Sequence, residues 1–345
     1  MIITKAQSLR AESAYLLVCD LQSRFVNGLD KISQQFGQGC CFTPIEWLRD
    51  DGLHGGGVRF MASDNTLFNR GSVNISQVHY DDDQSKKLAS ATAISTIIHP
   101  DNPLAPSVHI HISWTEMKEG SGYWRLMADL NPSNEFDTDK ERFAGQLKQA
   151  APKQYDVAAE QGDVYFYIPV LGRHRGVTHF YLENYFSTDF DQDLELAKTV
   201  GEVAIDTYCD IFSSALTTRQ TVTIDNRNRQ LDYHTLYFFQ VLTLDRGTTS
   251  GLLVHDQNDV GILASLPSTI NRALLASWVS KMPSPQNELL QQIVACLPEG
   301  DICRVEDDTK RALANCLRQH YRKHPEAINM QASGFVIPST VNNHR

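Results

Sequence analysis

The stretch ASATAISTIIHPDNPLAPSVHIHISWTEMKEGSGYWRLMADLNP, Ala89 to Pro132, decides the fold. It opens with a β-branched run, Ala93 to Ile98, passes a His-Pro-Asp-Asn-Pro turn at His99 to Pro103, and then alternates through His109, His111 and Ser113. Lys118 to Gly122 has the polar, glycine-containing composition of a hairpin connection, and a second apolar-rich segment runs from Tyr123 to Leu130. Strand side chains alternate with period two, so His109, His111 and Ser113 share one face, as do Arg125, Met127 and Asp129. Paired across the hairpin, these strands present two imidazoles, a guanidinium and a carboxylate to one cavity.

Working outward, Leu9, Tyr15, Leu16, Leu21 and Phe25 recur near helical spacing, which predicts an amphipathic helix from about Ser8 to Ile32. The Gly55-Gly56-Gly57 run lacks the spacing of a phosphate-binding motif and reads as a loop or bulge. Val73 to His79 alternates as a strand, and Asp81-Asp82-Asp83 reads as a solvated turn, since a calcium loop needs glycine and glutamate positions that are missing. Asp137 to Tyr155 has the charged composition of a helix. Strands are expected at Val164 to Val170 and Arg175 to Asn184, and a helix from about Asp191 to Ser214. Tyr233 to Leu244 and Thr249 to Val254 flank an Asp245-Arg246-Gly247-Thr248 turn as a hairpin, with a short strand at Val260 to Leu266. Further helices are expected near Ser268 to Lys281, Gln286 to Cys296 and Asp307 to Lys323. Strands clustered in sequence, with helices before, between and after them, predict an α+β protein around a large, mainly antiparallel sheet. No linker or repeat divides the chain, so residues 1–300 read as one domain, and residues 301–345 as a C-terminal helix and tail.

The chain has 345 residues, 41% of them hydrophobic, and a formal net charge of -10. That charge, without a cluster of Lys and Arg, excludes a nucleic-acid surface. The N-terminus lacks the basic-then-apolar pattern of a signal peptide, and no apolar run is long enough for a membrane span. Seven scattered cysteines without a CxxC pair fit reduced thiols in a cytoplasmic protein.

Seven ordered segments carry a resemblance: FNRGSVNIS (Phe68 to Ser76), IIHPDNPLAPSVH (Ile97 to His109), ADLNP (Ala128 to Pro132), VYFYIP (Val164 to Pro169), RGV (Arg175 to Val177), DRGTTSGL (Asp245 to Leu252) and ILASLP (Ile262 to Pro267). With them the chain resembles the oxygen-dependent coproporphyrinogen III oxidases from about Ala11 to Trp278. The resemblance implies a large antiparallel sheet with helices on both faces and a homodimer. It also implies a cleft where dioxygen oxidatively decarboxylates propionate side chains to vinyls without an organic cofactor. Carried over by position, it implies Asp129 as the catalytic aspartate, His109 as the active-site histidine, Arg175 as the substrate-carboxylate arginine, and Ser95 as a serine lining the pocket.

Other positions depart from the family pattern. His111 stands where asparagine is usual, Ser113 and Asn258 where arginines are usual, Arg125-Leu126-Met127 replaces a glycine-rich run, and RGIGG becomes Arg175-Gly176-Val177-Thr178-His179. A guanidinium matches a carboxylate best, so losing two leaves a four-propionate substrate poorly compensated. A different carboxylate-bearing small molecule is therefore expected, anchored by Arg125 and Arg175. His109, His111 and His179, with Asp129 beside them, would suit a transition metal such as Fe, Cu or Mn, whereas His79, His99, His234 and His255 read as core or turn residues. Three functions stay open: a diverged dioxygen-dependent oxidase, the orthodox haem-biosynthetic enzyme, and a non-catalytic tetrapyrrole-binding protein.

Overall fold

A computed structural model describes residues 3–335. The first helix, α1 (Leu9–Phe36), starts where the Ser8 hydroxyl accepts from the Ala11 amide, and buries Ala14, Val18, Leu21, Phe25 and Leu29 along one stripe. Six strands follow: β1 (Thr43–Leu48), β2 (Gly55–Met61), β3 (Phe68–His79), β4 (Leu88–Pro100), β5 (Ser107–Met117) and β6 (Gly122–Asn131). After α2 (Asp137–Ala150) and α3 (Tyr155–Phe166), a small ladder pairs β7 (Tyr167–Ile168) with β8 (Arg173–His174). Strand β9 (Thr178–Tyr185) then completes a seven-stranded antiparallel sheet in the order β1-β2-β3-β4-β5-β6-β9.

The two faces of this sheet differ because its strands alternate. One face carries Val73, Ile75, Ile94, Ile98, Val108, Ile110, Ile112, Leu126, Ala128, Leu130 and Phe180, which pack with α1 and α4 (Phe190–Thr218) into the larger core. The opposite face carries serines, alanines, Asn74, His109, His111 and Arg125. Over it lie α5 (Ile224–Thr243), α6 (Arg246–Val254) and α7 (Asp259–Ile262). Behind them stand α8 (Arg272–Ser277), α9 (Gln286–Ala295) and α10 (Asp307–Lys323), with β10 (Thr269–Asn271) paired to β11 (Ile302–Arg304). This layer has its own core, built on Phe238, Phe239, Leu242, Leu263, Leu289, Ile293, Leu313 and Leu317. Helices thus cover both faces of one antiparallel sheet, as the resemblance implies. Within the segment read as C-terminal helix and tail, α10 packs into this second core, and residues 336–345 lie outside the described residues.

Four expectations need correction. Tyr233 to Thr243 is the end of α5, buried on every side, and its largely apolar run has no period to separate helix from strand. A capping box between Thr223 and Asn226 marks where that helix starts. Thr249 to Val254 belongs to α6, whose first turn is capped by Asp245 through the Thr248 amide at 2.6 Å, so the expected turn is a helix N-terminus. Val260 to Leu266 folds as α7 and a 3-10 turn, not a strand. Val164 to Phe166 closes α3, leaving only Tyr167 and Ile168 extended.

Two smaller differences concern glycines and an arginine. The three consecutive glycines open strand β2 rather than form a loop; a Cβ on Gly57 would strike the Ile75 carbonyl oxygen of the neighbouring strand. Arg175 precedes β9, beside Gly176 with its φ of 83°, and so shares no strand face with His179. No helix among the described residues is long and apolar enough to cross a membrane.

Candidate active site

Register across the sheet sets which side chains meet. One rung runs Ser72, Ile97, His109, Asp129, His179 from β3 to β9, and the next runs Arg59, Asn74, Ser95, His111, Met127 from β2 to β6. A third places Ser113 opposite Arg125. Above these rungs lies a cavity of about 290 Å³, roofed by Tyr237, Val241, Asp245, Thr248, Gly251 and Gly261 of α5 to α7. Ser95, His109, His111, Arg125 and Arg175 all line it. Small side chains on β3 and β4, and glycines opposite, leave the space that larger residues would fill.

Asp129 is fully buried behind the lining. Its Oδ1 faces His109 Nδ1 at 3.0 Å, and its Oδ2 accepts from Arg175 Nη2 at 2.7 Å and Asn131 Nδ2 at 2.6 Å. Burial by itself would raise its pKa, but Arg175, His109 and Asn131 outweigh that and hold the carboxyl well below the usual range. Arg175 is itself buried, its guanidinium carbon 4.5 Å from the centre of the Phe166 ring and 5.0 Å from that of Tyr237. His109 bonds Asp129 through Nδ1, which fixes the tautomer and leaves Nε2 as the basic nitrogen.

The other histidines have different partners. His111 Nε2 meets Ser113 Oγ at 3.1 Å. Burial, then Arg125 and His109, push its pKa well below the ordinary imidazole value, so the ring is neutral. His179 lies on the same rung as His109 but two strands away, roughly 10 Å at ordinary strand spacing. Its ring is engaged at both nitrogens, Nδ1 with Asp163 Oδ1 at 2.7 Å and Nε2 with the Arg175 carbonyl at 2.7 Å, and α3 covers it closely enough that a Cβ on Gly162 would touch it. The expected metal set of His109, His111 and His179 therefore does not converge, and the residues do not fit a three-histidine centre. No group of three His, Cys, Asp or Glu among the described residues is placed to hold a metal ion.

Arg125 is also committed. It donates from Nε to Glu183 Oε2 at 2.8 Å and from Nη2 to Oε1 at 3.0 Å, a fork-on-carboxylate pair. An extra residue in β9 opposite Arg125, with Asn184 at φ 55°, aims Glu183 at the guanidinium, and the Tyr181 hydroxyl donates to the same carboxylate. Four residues of this site escaped the sequence reading: Glu183, Tyr237, Tyr165, and Asp245, which accepts from the Tyr165 hydroxyl at 3.0 Å. Only Asp245 carried a local signal, an aspartate three residues before Thr248 at a helix start.

With this geometry in view, the comparisons with known proteins are direct. The family model described as Coproporphyrinogen III oxidase matches residues 14–295, and the chain belongs to that family. It is 27% identical over 286 residues to the mitochondrial oxygen-dependent coproporphyrinogen-III oxidase of Mus musculus, covering 74% of this chain but 61% of the relative. The Rickettsia akari protein of the corresponding name is 27% identical over 278 residues, with 73% and 94% covered. The Prochlorococcus marinus one is 27% identical over 307 residues, with 76% and 83% covered. The chain thus spans about three-fifths of the mouse relative's length and nearly all of the rickettsial one's.

Proposed function

We propose that the protein is a dioxygen-dependent oxidase that removes a carboxylate from a small molecule whose reacting arm lies beside His109 and Arg175. The supporting observation is Asp129, a fully buried ionised carboxylate held between an imidazole and a guanidinium that both line the cavity. A carboxylate held so far below its usual pKa is a poor base. Asp129 instead orients the imidazole, and His109 Nε2 is the atom that takes the proton. Arg175 supplies positive charge next to the leaving carboxylate. For a propionate arm the reaction balances as R–CH2–CH2–COOH plus O2 giving R–CH=CH2, CO2 and H2O2. The C–C bond to the carboxyl breaks, and dioxygen takes up two electrons and two protons. No step is routed through a metal or an organic cofactor.

A substrate other than coproporphyrinogen is favoured by the cavity's charges. Ser113 and Asn258 bring no guanidinium, and Arg125 is already matched by Glu183. A cavity of about 290 Å³ is also at the small end for ligand sites. The second reading, coproporphyrinogen oxidation itself, is favoured by the relatives, all named oxygen-dependent coproporphyrinogen-III oxidase.

One assay separates the two readings. Coproporphyrinogen III prepared without oxygen, and a panel of other carboxylates, are mixed with the protein and exposed to air. CO2 release and porphyrin fluorescence are then followed. Oxygen-dependent CO2 release from another carboxylate, with slow turnover of coproporphyrinogen III, is expected. Turnover of coproporphyrinogen at the rickettsial relative's rate favours the second reading. No CO2 from any substrate rejects both.

A further inference from the structure

Two of the seven cysteines meet in the helical layer behind the cavity roof. Cys296 ends α9 and is half-buried, while Cys316 stands in the middle of α10 and is buried. Their contacts are reciprocal. Cys296 Sγ lies 3.8 Å from the carbonyl oxygen of Ala312, one helical turn before Cys316. Cys316 Sγ lies 3.8 Å from Oε1 of Gln292, one turn before Cys296. The Cys296 amide donates to the Gln292 carbonyl at 3.0 Å, which keeps the end of α9 helical where it meets α10. At this crossing the two sulfurs are within hydrogen-bonding reach of each other.

The two thiols differ in acidity and in access. The Cys316 thiol donates to Cys296, which holds the Cys296 thiol down to about 7 and pushes that of Cys316 up. Burial pushes up the thiols of Cys19, Cys209 and Cys303 instead. A large share of Cys296 is therefore thiolate at neutral pH, the form that reacts with peroxides. Cys296 is the accessible member of the pair, and Cys316, only 6% exposed, stands behind it as the resolving thiol.

We propose that Cys296 and Cys316 are a modification site, a dithiol that hydrogen peroxide converts to a reversible disulfide joining α9 to α10. The Cys296 thiolate attacks one oxygen of the peroxide, the O–O bond breaks, and the departing hydroxide takes a proton to leave as water. The Cys316 thiol then attacks the sulfenic sulfur, the S–O bond breaks, and a second water leaves. Two thiols and one H2O2 thus give one disulfide and two waters, with two electrons passing from sulfur to oxygen. Hydrogen peroxide is the by-product of the reaction proposed above, although peroxide from any source serves. The link reaches the site through α10, because Arg318, two residues beyond Cys316, donates from Nε to the Leu252 carbonyl at 2.8 Å and from Nη1 to Asp259 Oδ2 at 3.0 Å. Those partners belong to α6 and α7 of the cavity roof.

The test needs no turnover, so failure of the proposed reaction leaves it intact. The full chain is treated with a small excess of hydrogen peroxide, quenched with catalase, alkylated, digested with trypsin and mapped by mass spectrometry with and without prior reduction. Arg304, Lys310 and Arg311 lie between the two cysteines, so the digest separates them unless they are linked. The expected result is the loss of two alkylatable thiols out of seven and a linked pair of peptides carrying Cys296 and Cys316, both reversed by dithiothreitol. Cys296→Ser abolishes the link. Cys316→Ala abolishes it too, and leaves a sulfenic acid at Cys296 that dimedone traps. The map of the parent protein decides the matter even if either variant fails to fold. The proposal is overturned if all seven thiols survive peroxide, if the link joins other cysteines such as Cys40 and Cys41, or if Cys296 passes to sulfinic acid without a link.

Discussion

Asp129 is the residue on which the others at the reacting end depend, since His109, Arg175 and Asn131 all bond it. Asp129→Asn removes a charge that a buried guanidinium needs, and is expected to cost about 3 kcal/mol or more of stability, together with most of the oxygen consumption. Its pH dependence follows from the direction of the shift. The folded-state pKa is depressed, so the stability Asp129 contributes is full above the ordinary carboxylate value near 4 and is lost as pH falls below it. Urea unfolding of parent and variant should therefore begin to converge below about pH 4 and go on converging as the pH falls further. An earlier acid effect comes from His234, pushed down to about 3 by burial. It stays neutral in the folded state while the unfolded chain protonates, so stability should begin to fall below about pH 6.5, and less steeply in His234→Phe. Arg125→Ala strands Glu183 and should destabilise by about 3 kcal/mol or more, part of which Glu183→Gln restores in the double variant. If Arg125 were instead a free substrate anchor, its replacement would spare stability and raise KM.

At the scale of elements, the cavity owes its room to small residues at close approaches. Gly57 in β2 faces the Ile75 carbonyl, with the Trp47 indole nitrogen 2.8 Å from where a Cβ would lie. Gly57→Ala is expected to cost about 1–3 kcal/mol by thermal unfolding, through displacement of β3. The Asp245 cap of α6 joins the roof to α3 by way of Tyr165. Asp245→Ala should lose about 1–2 kcal/mol by chemical denaturation, and Tyr165→Phe less. These elements also mark where sequence reading succeeds. The β5–β6 hairpin and its two cavity-facing sets were legible, and the structure adds the register, His109 opposite Asp129 and Ser113 opposite Arg125. The α5–α6 segment was not, because its apolar run is buried all round and a local pattern cannot say by what.

At the scale of the whole molecule, strand β1 forms an edge of the sheet, with Thr43, Pro44, Ile45 and Glu46 exposed. Pro44 removes one backbone donor from that edge, but the remaining groups are open to another chain. A homodimer is proposed on this ground and on the family's architecture. Light scattering at micromolar concentration should return twice the chain mass of 38.8 kDa, and a mass that stays at the single-chain value would count against it.

Alternation along β3 to β6 is a local property, and the sequence by itself determined the hairpin, the shared face of His109, His111 and Ser113, and Asp129 across from them. Period-two geometry carries side chains to one face whatever packs above it. The order of strands in the sheet, and the contacts of buried charges with residues far away in sequence, depended on the tertiary structure. His179, expected beside His109 and His111, falls on the rung of His109 and Asp129 but two strands from His109, under a helix that takes up its ring. Arg125 lay in the cavity but was already matched by Glu183, which an extra residue in β9 turned toward it. Arg59 belongs to no motif, and only the placement of β2 beside β3 shows it buried with Nε and Nη1 lacking a hydrogen-bond partner. Charge pairing across distant strands has no period in sequence, so tertiary structure alone decided which arginines are paired.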